Sequence, residues 1–162
     1  MKKLVFLAVL LLNLFASIEA FSCHCSGNYE FNTQEDLAGY DFVALVQIDS
    51  IYASAIPKTH ENDLFYQADL TVLESFKGDT QGSILIHGGN KTVTERWSSC
   101  DMGIDKSETW LIFARRGENG QLKTHFCTFS SMYANSSGEK TTHGRSVSDL
   151  EKLRGLFQAA HP

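Results

Sequence analysis

The sequence of 162 residues predicts a small, mostly antiparallel β-barrel with a helix near each end of its mature part. Two long segments, Asp41–Ala53 and Phe65–Gly78, alternate apolar and polar side chains as strands do. Asn119 and Gly120 separate the apolar runs Thr109–Arg116 and Gln121–Phe129, which is typical of a β-hairpin. A terminal helix, described below, completes the pattern.

The first helix is predicted from a capping box that runs from Thr33 to Asp36. Gly39 then ends it. The strand that begins at Asp41 opens with a continuous apolar run and changes to alternation at Val46, Ile48 and Ile51. This pattern indicates a long strand.

A second long strand is predicted at Phe65–Gly78, and a short third strand at Ser83–Gly88. Gly88–Glu108 is predicted to be a long polar connection that contains Trp97. After the hairpin, Tyr133–Arg145 is rich in Ser, Gly and Thr and is predicted to be a loop.

The chain is predicted to close with an amphipathic helix that begins at a second capping box, Ser148 to Glu151. Five apolar residues share one face of it: Val147, Leu150, Leu153, Leu156 and Phe157. This face is expected to pack on the barrel.

Residues 1–22 are predicted to be a secretory signal peptide. Lys2 and Lys3 supply its positive start, and Leu4–Leu12 form an apolar run of nine residues. Nine residues make about 14 Å of helix, against a hydrocarbon core of about 30 Å, so no membrane insertion is expected. The protein is expected to be secreted, or periplasmic if bacterial, with residues 23–162 as a single domain.

The cleavage site of the leader has two candidates. Cleavage after Ala20 leaves Phe21 first, and cleavage after Ser22 leaves Cys23 first. Both satisfy the preference for small residues. A lipoprotein with an acylated Cys23 is a third alternative, but it requires a small residue where Phe21 stands.

The charge of the mature chain excludes some partners. Removing Lys2, Lys3 and Glu19 from 14 basic and 19 acidic residues leaves 12 and 18, a net charge of −6. Nucleic acids and anionic membranes both require a basic surface, so neither is expected as a partner. No G-x-S-x-G or H-E-x-x-H motif is present. The protein is therefore predicted not to be an enzyme and to need no cofactor.

The four cysteines predict two disulfides, because an even number in an exported chain is typical of a disulfide framework. Cys23 and Cys25 lie too close in sequence to pair with each other. Each is therefore expected to reach either Cys100 or Cys127, and both pairings remain open. A metal site built from the four cysteines and His24 is the alternative, although export favours disulfides.

The ordered motifs of the mature chain resemble those of a known family, the netrin-like module, whose best-known members are the tissue inhibitors of metalloproteinases. In chain order the motifs are Cys23-His24-Cys25, Tyr40–Val43, Phe76-Lys77-Gly78, the isolated Cys100, Trp110–Ala114, the Asn119-Gly120 turn and Cys127-Thr128. The resemblance implies a five-stranded OB-type barrel. It also implies that Cys23 pairs with Cys100 and Cys25 with Cys127.

The resemblance further implies inhibition of a zinc metalloprotease. In this family the α-amine and carbonyl of an N-terminal cysteine, here Cys23, chelate the zinc of the target, so the inhibitor needs no metal of its own. An α-amine has a pKa of about 7.7–8.0, which leaves a neutral fraction at pH 7. His24 would enter the pocket beside the zinc, and Ser98 and Ser99 would lie next to the Cys23 segment. The disulfide of Cys25 would be the second bond that holds this segment rigid.

The alternative function is that of an exported netrin-like module that contacts another protein or a surface glycan without inhibiting a protease. Asn90 and Asn135 each stand in an N-glycosylation sequon and are candidate modification sites.

Overall fold

The structure is a computed structural model that describes residues 23–26, 30–55, 64–79, 82–142 and 144–158. The predicted signal peptide lies outside the described residues. Six strands and two helices are found within them: a 3-10 helix Glu35–Leu37, β1 Phe42–Ala53, β2 Phe65–Lys77, β3 Ser83–His87, β4 Thr109–Arg116, β5 Leu122–His125, β6 Ser131–Ala134 and the α-helix α1 Ser146–Gln158.

Five of the strands close into a barrel of mixed topology. β1 pairs antiparallel with both β2 and β4, β2 pairs antiparallel with β3, and β5 pairs antiparallel with β4. The remaining seam, between β3 and β5, is parallel. The resulting order, β1-β2-β3-β5-β4 and back to β1, is that of an OB-type barrel, so the predicted fold class is confirmed.

The β1–β2 ladder is irregular in the way that a small closed barrel requires. Its register shifts between Val43 and Ala44, between Leu45 and Val46, and again after Ile48. Such irregularities bend a strand and increase its twist, so two long strands can curve around one core.

Two hydrophobic clusters lie on opposite faces of β1 and β4. The barrel interior holds Phe42, Ala44, Val46, Ile48, Tyr66, Ala68, Leu70, Ile84, Ile86, Ile104, Trp110, Ile112, Ala114 and Leu122. The outer cluster holds Phe31, Leu37, Tyr40, Val43, Leu45, Leu111, Phe113, Phe129, Leu150 and Leu153. Because both faces of these strands are covered, β1 opens with a continuous apolar run instead of alternation.

The hairpin differs from its prediction at its second strand. β5 ends at His125 instead of Phe129, and the chain turns before it forms β6, which pairs with β4 at Thr109–Leu111. β6, Ser131–Ala134, begins just after the predicted strand Gln121–Phe129 and ends inside the predicted loop Tyr133–Arg145. The turn is imposed by hydroxyl groups that compete for backbone hydrogen bonds, as described below.

Both helices also differ from their predictions at the ends. Thr33 and Asp36 do exchange hydrogen bonds, since each accepts from the backbone N–H of the other, but the helix is a single 3-10 turn. α1 begins at Ser146, ahead of the predicted cap Ser148, whose hydroxyl donates to the carbonyl of Arg145 instead. Among the described residues no helix has the length and apolarity needed to cross a membrane.

Candidate functional site

The first described residues form a short segment that is fixed to the barrel at two points. Cys23 is bonded to Cys100 and Cys25 to Cys127, with Cα–Cα distances of 5.3 and 5.4 Å. This is the pairing that the resemblance implies, and it leaves no free cysteine as a metal ligand. Residues 23–26 are called the tethered segment below. His24, between the two bridges, is exposed.

The first attachment point lies in a loop of residues 90–104, called the Cys100 loop below. Asn90 is 3% exposed, and its side-chain amide donates to the carbonyl of Ile104 at 2.8 Å. Its side-chain oxygen accepts the backbone N–H groups of Thr92 and Val93 at 2.8 and 3.1 Å. The Ile104 N–H in turn donates to the Tyr66 hydroxyl at 3.0 Å. One buried side chain therefore joins both ends of the loop.

The Tyr66 hydroxyl is kept protonated by its surroundings. Burial raises the pKa of Tyr66 far above its ordinary value, although the hydrogen bonds with Ile104 and Asn90 act in the opposite direction. The hydroxyl can therefore serve as a neutral acceptor for the Ile104 N–H.

Ser98 and Ser99, the predicted neighbours of the tethered segment, lie beside it. The Ser99 hydroxyl oxygen is 3.6 Å from the sulfur of Cys23, and both serines are exposed. The backbone N–H of Ser98 donates to the Asp101 carboxylate at 2.6 Å, and the Cys100 N–H donates to the Ser98 hydroxyl at 3.2 Å. The serines are thus held in a tight turn that presents them to solvent.

The Asp101 side chain lies beside two glycines, where any larger residue would collide with the Cys100 loop. A Cβ atom at Gly88, where φ is +134°, would lie 2.5 Å from that carboxylate. At Gly89 it would lie 2.2 Å from the carbonyl oxygen of Arg96. Glycine at these two positions therefore lets the Cys100 loop pack directly on the end of β3.

The second attachment point is the turn after β5, which carries Cys127. The buried Thr124 hydroxyl donates to the carbonyl of Phe113 at 3.0 Å and contacts the hydroxyls of Thr128 and Ser130 at 3.0 and 2.9 Å. The backbone N–H of Phe113 donates to the Ser130 hydroxyl at 2.8 Å. Side chains thus satisfy the backbone of β4 between β5 and β6, and they hold the Cys127 turn against the barrel.

His125 connects the end of β5 to the Cys127 turn. Its Nδ1 accepts the backbone N–H of Cys127 at 3.1 Å. His125 is exposed, and partial desolvation of its ring, together with the nearby His87 and Arg115, holds its pKa below the usual range. His87 is the register partner of His125 across the parallel β3–β5 seam, and its ring stacks on Phe65 with centroids 4.7 Å apart.

The tethered segment separates two grooves. One, of about 660 Å³, runs between the segment, the Cys100 loop and the ends of β3 and β5. The other, of about 520 Å³, lies on the far side against Ser130 and Arg145. Cys23, His24 and Phe126 line both, so the segment forms a ridge with a depression along each side.

The larger groove is rich in exposed aromatic surface. Trp97 is 51% exposed and Phe126 is 41% exposed, and both line it. The ammonium group of Lys91 lies 4.6 Å from the Trp97 ring centroid. Among the described residues no group of three or more His, Cys, Asp and Glu side chains is arranged to hold a metal ion.

Sequence reasoning missed the contribution of His87, His125, Trp97 and Phe126 to this region. The histidines are 38 positions apart in the sequence and meet only through the parallel β3–β5 register. The OB topology that the resemblance implies was the one available signal, since it pairs the third and fifth strands.

The burial of Asn90, a candidate glycosylation site, disfavours its modification in the folded protein, and its glycosylation stays a prediction. Its amide nitrogen, to which a glycan would be attached, is buried and donates to Ile104. Asn135 is half-exposed at a turn, where its oxygen accepts the N–H groups of Ser137 and Glu139 and its amide donates to the Glu139 carboxylate. Glycosylation of Asn135 stays a prediction.

No protein-family model matches the chain, and no curated protein sequence matches it. The netrin-like resemblance therefore stays a prediction that rests on the motifs given above.

Proposed function

We propose that the protein is a secreted inhibitor of zinc metalloproteases that acts through the α-amine and carbonyl of Cys23. The observation that carries this proposal is the tethered segment, in which His24 is exposed and is held by a disulfide on each side. A segment fixed in advance loses little conformational entropy when it binds, so most of its contact energy is retained as affinity.

The chemistry requires that Cys23 be the first residue, which corresponds to cleavage of the leader after Ser22. The neutral α-amine and the carbonyl oxygen of one residue form a five-membered chelate. A catalytic zinc site has three protein ligands and an open position that such a chelate can occupy. The side chain of Cys23 is engaged with Cys100, so only backbone groups are offered to the metal.

The shape of the surface suits insertion into a protease cleft. The tethered segment projects between two grooves, and the exposed Ser98 and Ser99 extend the same ridge beside Cys23. The His24 side chain would enter the substrate pocket beside the zinc. An imidazole there would select target proteases whose pocket is wide and accepts a polar ring.

Two measurements test this proposal. Mass spectrometry of the exported protein should give Cys23 as the first residue, and a chain that begins at Phe21 would exclude the mechanism. The protein should then inhibit members of a panel of zinc proteases. Carbamylation near pH ~6.5, where an α-amine reacts ahead of lysine, should abolish that inhibition. Full inhibition by the carbamylated protein would refute chelation.

A second candidate function is favoured by the exposed aromatic rings of the larger groove. Trp97 and Phe126 expose apolar surface beside polar side chains, as is common where a protein binds another protein or a sugar. A netrin-like binding module without inhibitory activity would use this groove. In a screen of glycans and extracellular proteins, Trp97→Ala should then lose binding, whereas Leu73→Ala, which alters another exposed apolar residue, should retain it.

A further inference from the structure

We propose that His125 is a positioning residue that holds the Cys127 turn only while its imidazole is neutral, so that the tethered segment loosens in acid. The proposal concerns the geometry of the segment and stands without any protease. Its consequence for inhibition rests on the proposed function.

The contact at issue is the hydrogen bond from the Cys127 N–H to Nδ1 of His125, at 3.1 Å. An imidazole nitrogen accepts a hydrogen bond only when it carries no proton, so the bond requires the neutral ring with its proton on Nε2. Protonation of Nδ1 places one N–H against another, and the bond is lost.

The loss is local because the rest of the turn is held in another way. The backbone N–H and the hydroxyl of Thr128 both donate to the carbonyl of His125, at 2.9 and 2.8 Å, and neither contact uses the imidazole. Protonation therefore frees the backbone at Cys127 without unfolding the turn. Cys127 is bonded to Cys25, so greater backbone motion at Cys127 also increases the motion of the tethered segment beside His24.

The groups that act on the charge of the ring are His87 in β3 and Arg115 in β4. His24 of the tethered segment and Arg96 and Asp101 of the Cys100 loop line the same groove as His125. Asp101 is the one carboxylate among them, and it already accepts the Ser98 N–H. A second positive charge at His125 is therefore opposed by its neighbours.

The direction of the pH effect follows from these surroundings. Partial desolvation, His87 and Arg115 lower the pKa of His125 in the folded protein, whereas the unfolded chain keeps a value of about 6.5. The His125 contribution to stability is complete above that value and falls as the pH drops through it toward the folded value. The bond is intact at neutral pH and opens only in an acidic environment.

Amide hydrogen exchange measured by NMR tests this directly. We expect the protection factor of the Cys127 amide, corrected for intrinsic exchange, to fall about fivefold or more between about pH 7.5 and a lower pH at which the ring resonances of His125 show it to be protonated, the loss of one net hydrogen bond. The Thr128 amide is the internal reference and should change much less. Equal protection of the Cys127 amide at the two pH values would overturn the proposal.

Two variants separate positioning from a general structural role. His125→Asn keeps a side-chain acceptor for the N–H two residues ahead but does not titrate, so Cys127 protection should be high at both pH values. His125→Phe removes the acceptor and should give low protection at both. If His125→Asn kept the pH dependence of the original protein, His125 would not be its source.

A third variant tests the neighbours. His87→Gln removes one opposing charge, so the pH midpoint of the Cys127 amide should move upward, and an unchanged or lower midpoint would count against the proposed coupling. None of these readouts involves a protease. A protein that inhibits no protease but shows the exchange pattern would refute the proposed function and leave the role of His125 intact.

Discussion

The side-chain amide of Asn90 lies 2.8 Å from the carbonyl oxygen of Ile104, and this hydrogen bond closes the base of the loop that carries Cys100. The bond is buried, so water cannot replace it when either partner is lost. The attachment of Cys23 to the barrel therefore depends on a residue whose sequence context suggests only a glycosylation site.

Replacement of Asn90 by Ala should lower the free energy of unfolding by about 2–3 kcal/mol, because it leaves the Ile104 carbonyl and two loop N–H groups without their partner. Asn135→Ala is the matched control and should cost about 1 kcal/mol or less, since its turn is accessible to water. Urea unfolding with the disulfides intact measures both. Equal costs would contradict the structural role of Asn90.

Helix α1 should contribute to stability through its buried face. Leu153 is fully buried in the outer cluster, so Leu153→Ala should cost about 2–5 kcal/mol. Leu73 is 53% exposed, and Leu73→Ala should change stability by only about 0.5 kcal/mol. The same unfolding measurement compares the two, and a small effect at Leu153 would show that the helix does not dock as described.

Long periodic segments made most of the fold predictable. β1, β2 and β4 were recognised because their alternation, or their continuous apolar run, extends over 8 to 13 residues. β6 is not predictable in this way, because Ser131–Ala134 is only four residues long and its apolar and polar residues do not alternate. Such a strand is specified by its partner β4 and not by its own sequence.

The candidate site was predictable only in part, for a related reason. The disulfides follow from cysteine count and from the resemblance, whereas the meeting of His87 with His125 depends on the register of a parallel pair that no local pattern encodes. The role of Asn90 depends on its burial, and the polar residues around it in the sequence give no sign of that burial.

The hydroxyl network beneath the Cys127 turn should be sensitive to a nearly isosteric change. Thr124→Val keeps the shape of the side chain but removes the hydrogen bonds to Phe113, Thr128 and Ser130, so it should cost about 1–2 kcal/mol. Thr71→Val removes an exposed hydroxyl that bonds Asp49 and should be within about 0.5 kcal/mol of neutral. Thermal unfolding of both variants provides the comparison.

Tyr66 should make the protein sensitive to alkali. Because burial raises its pKa in the folded state, the unfolded chain loses the Tyr66 proton first, above about pH 10, and stability falls from there as the pH rises. Tyr66→Phe should reduce this slope between about pH 8 and about pH 11, while it costs about 1–3 kcal/mol at neutral pH by leaving the Ile104 N–H unpaired. An unchanged slope would contradict the burial of the hydroxyl.

The inhibitory mechanism is tested most directly by moving the α-amine by one residue. Two otherwise identical proteins, one beginning at Cys23 and one with a single Ala placed before it, keep the same disulfides and the same ridge. The inhibition constant against a sensitive zinc protease should rise at least about 100-fold in the extended protein, and an Ala added at the C-terminus should leave it unchanged. Equal inhibition by the two proteins would contradict chelation by Cys23.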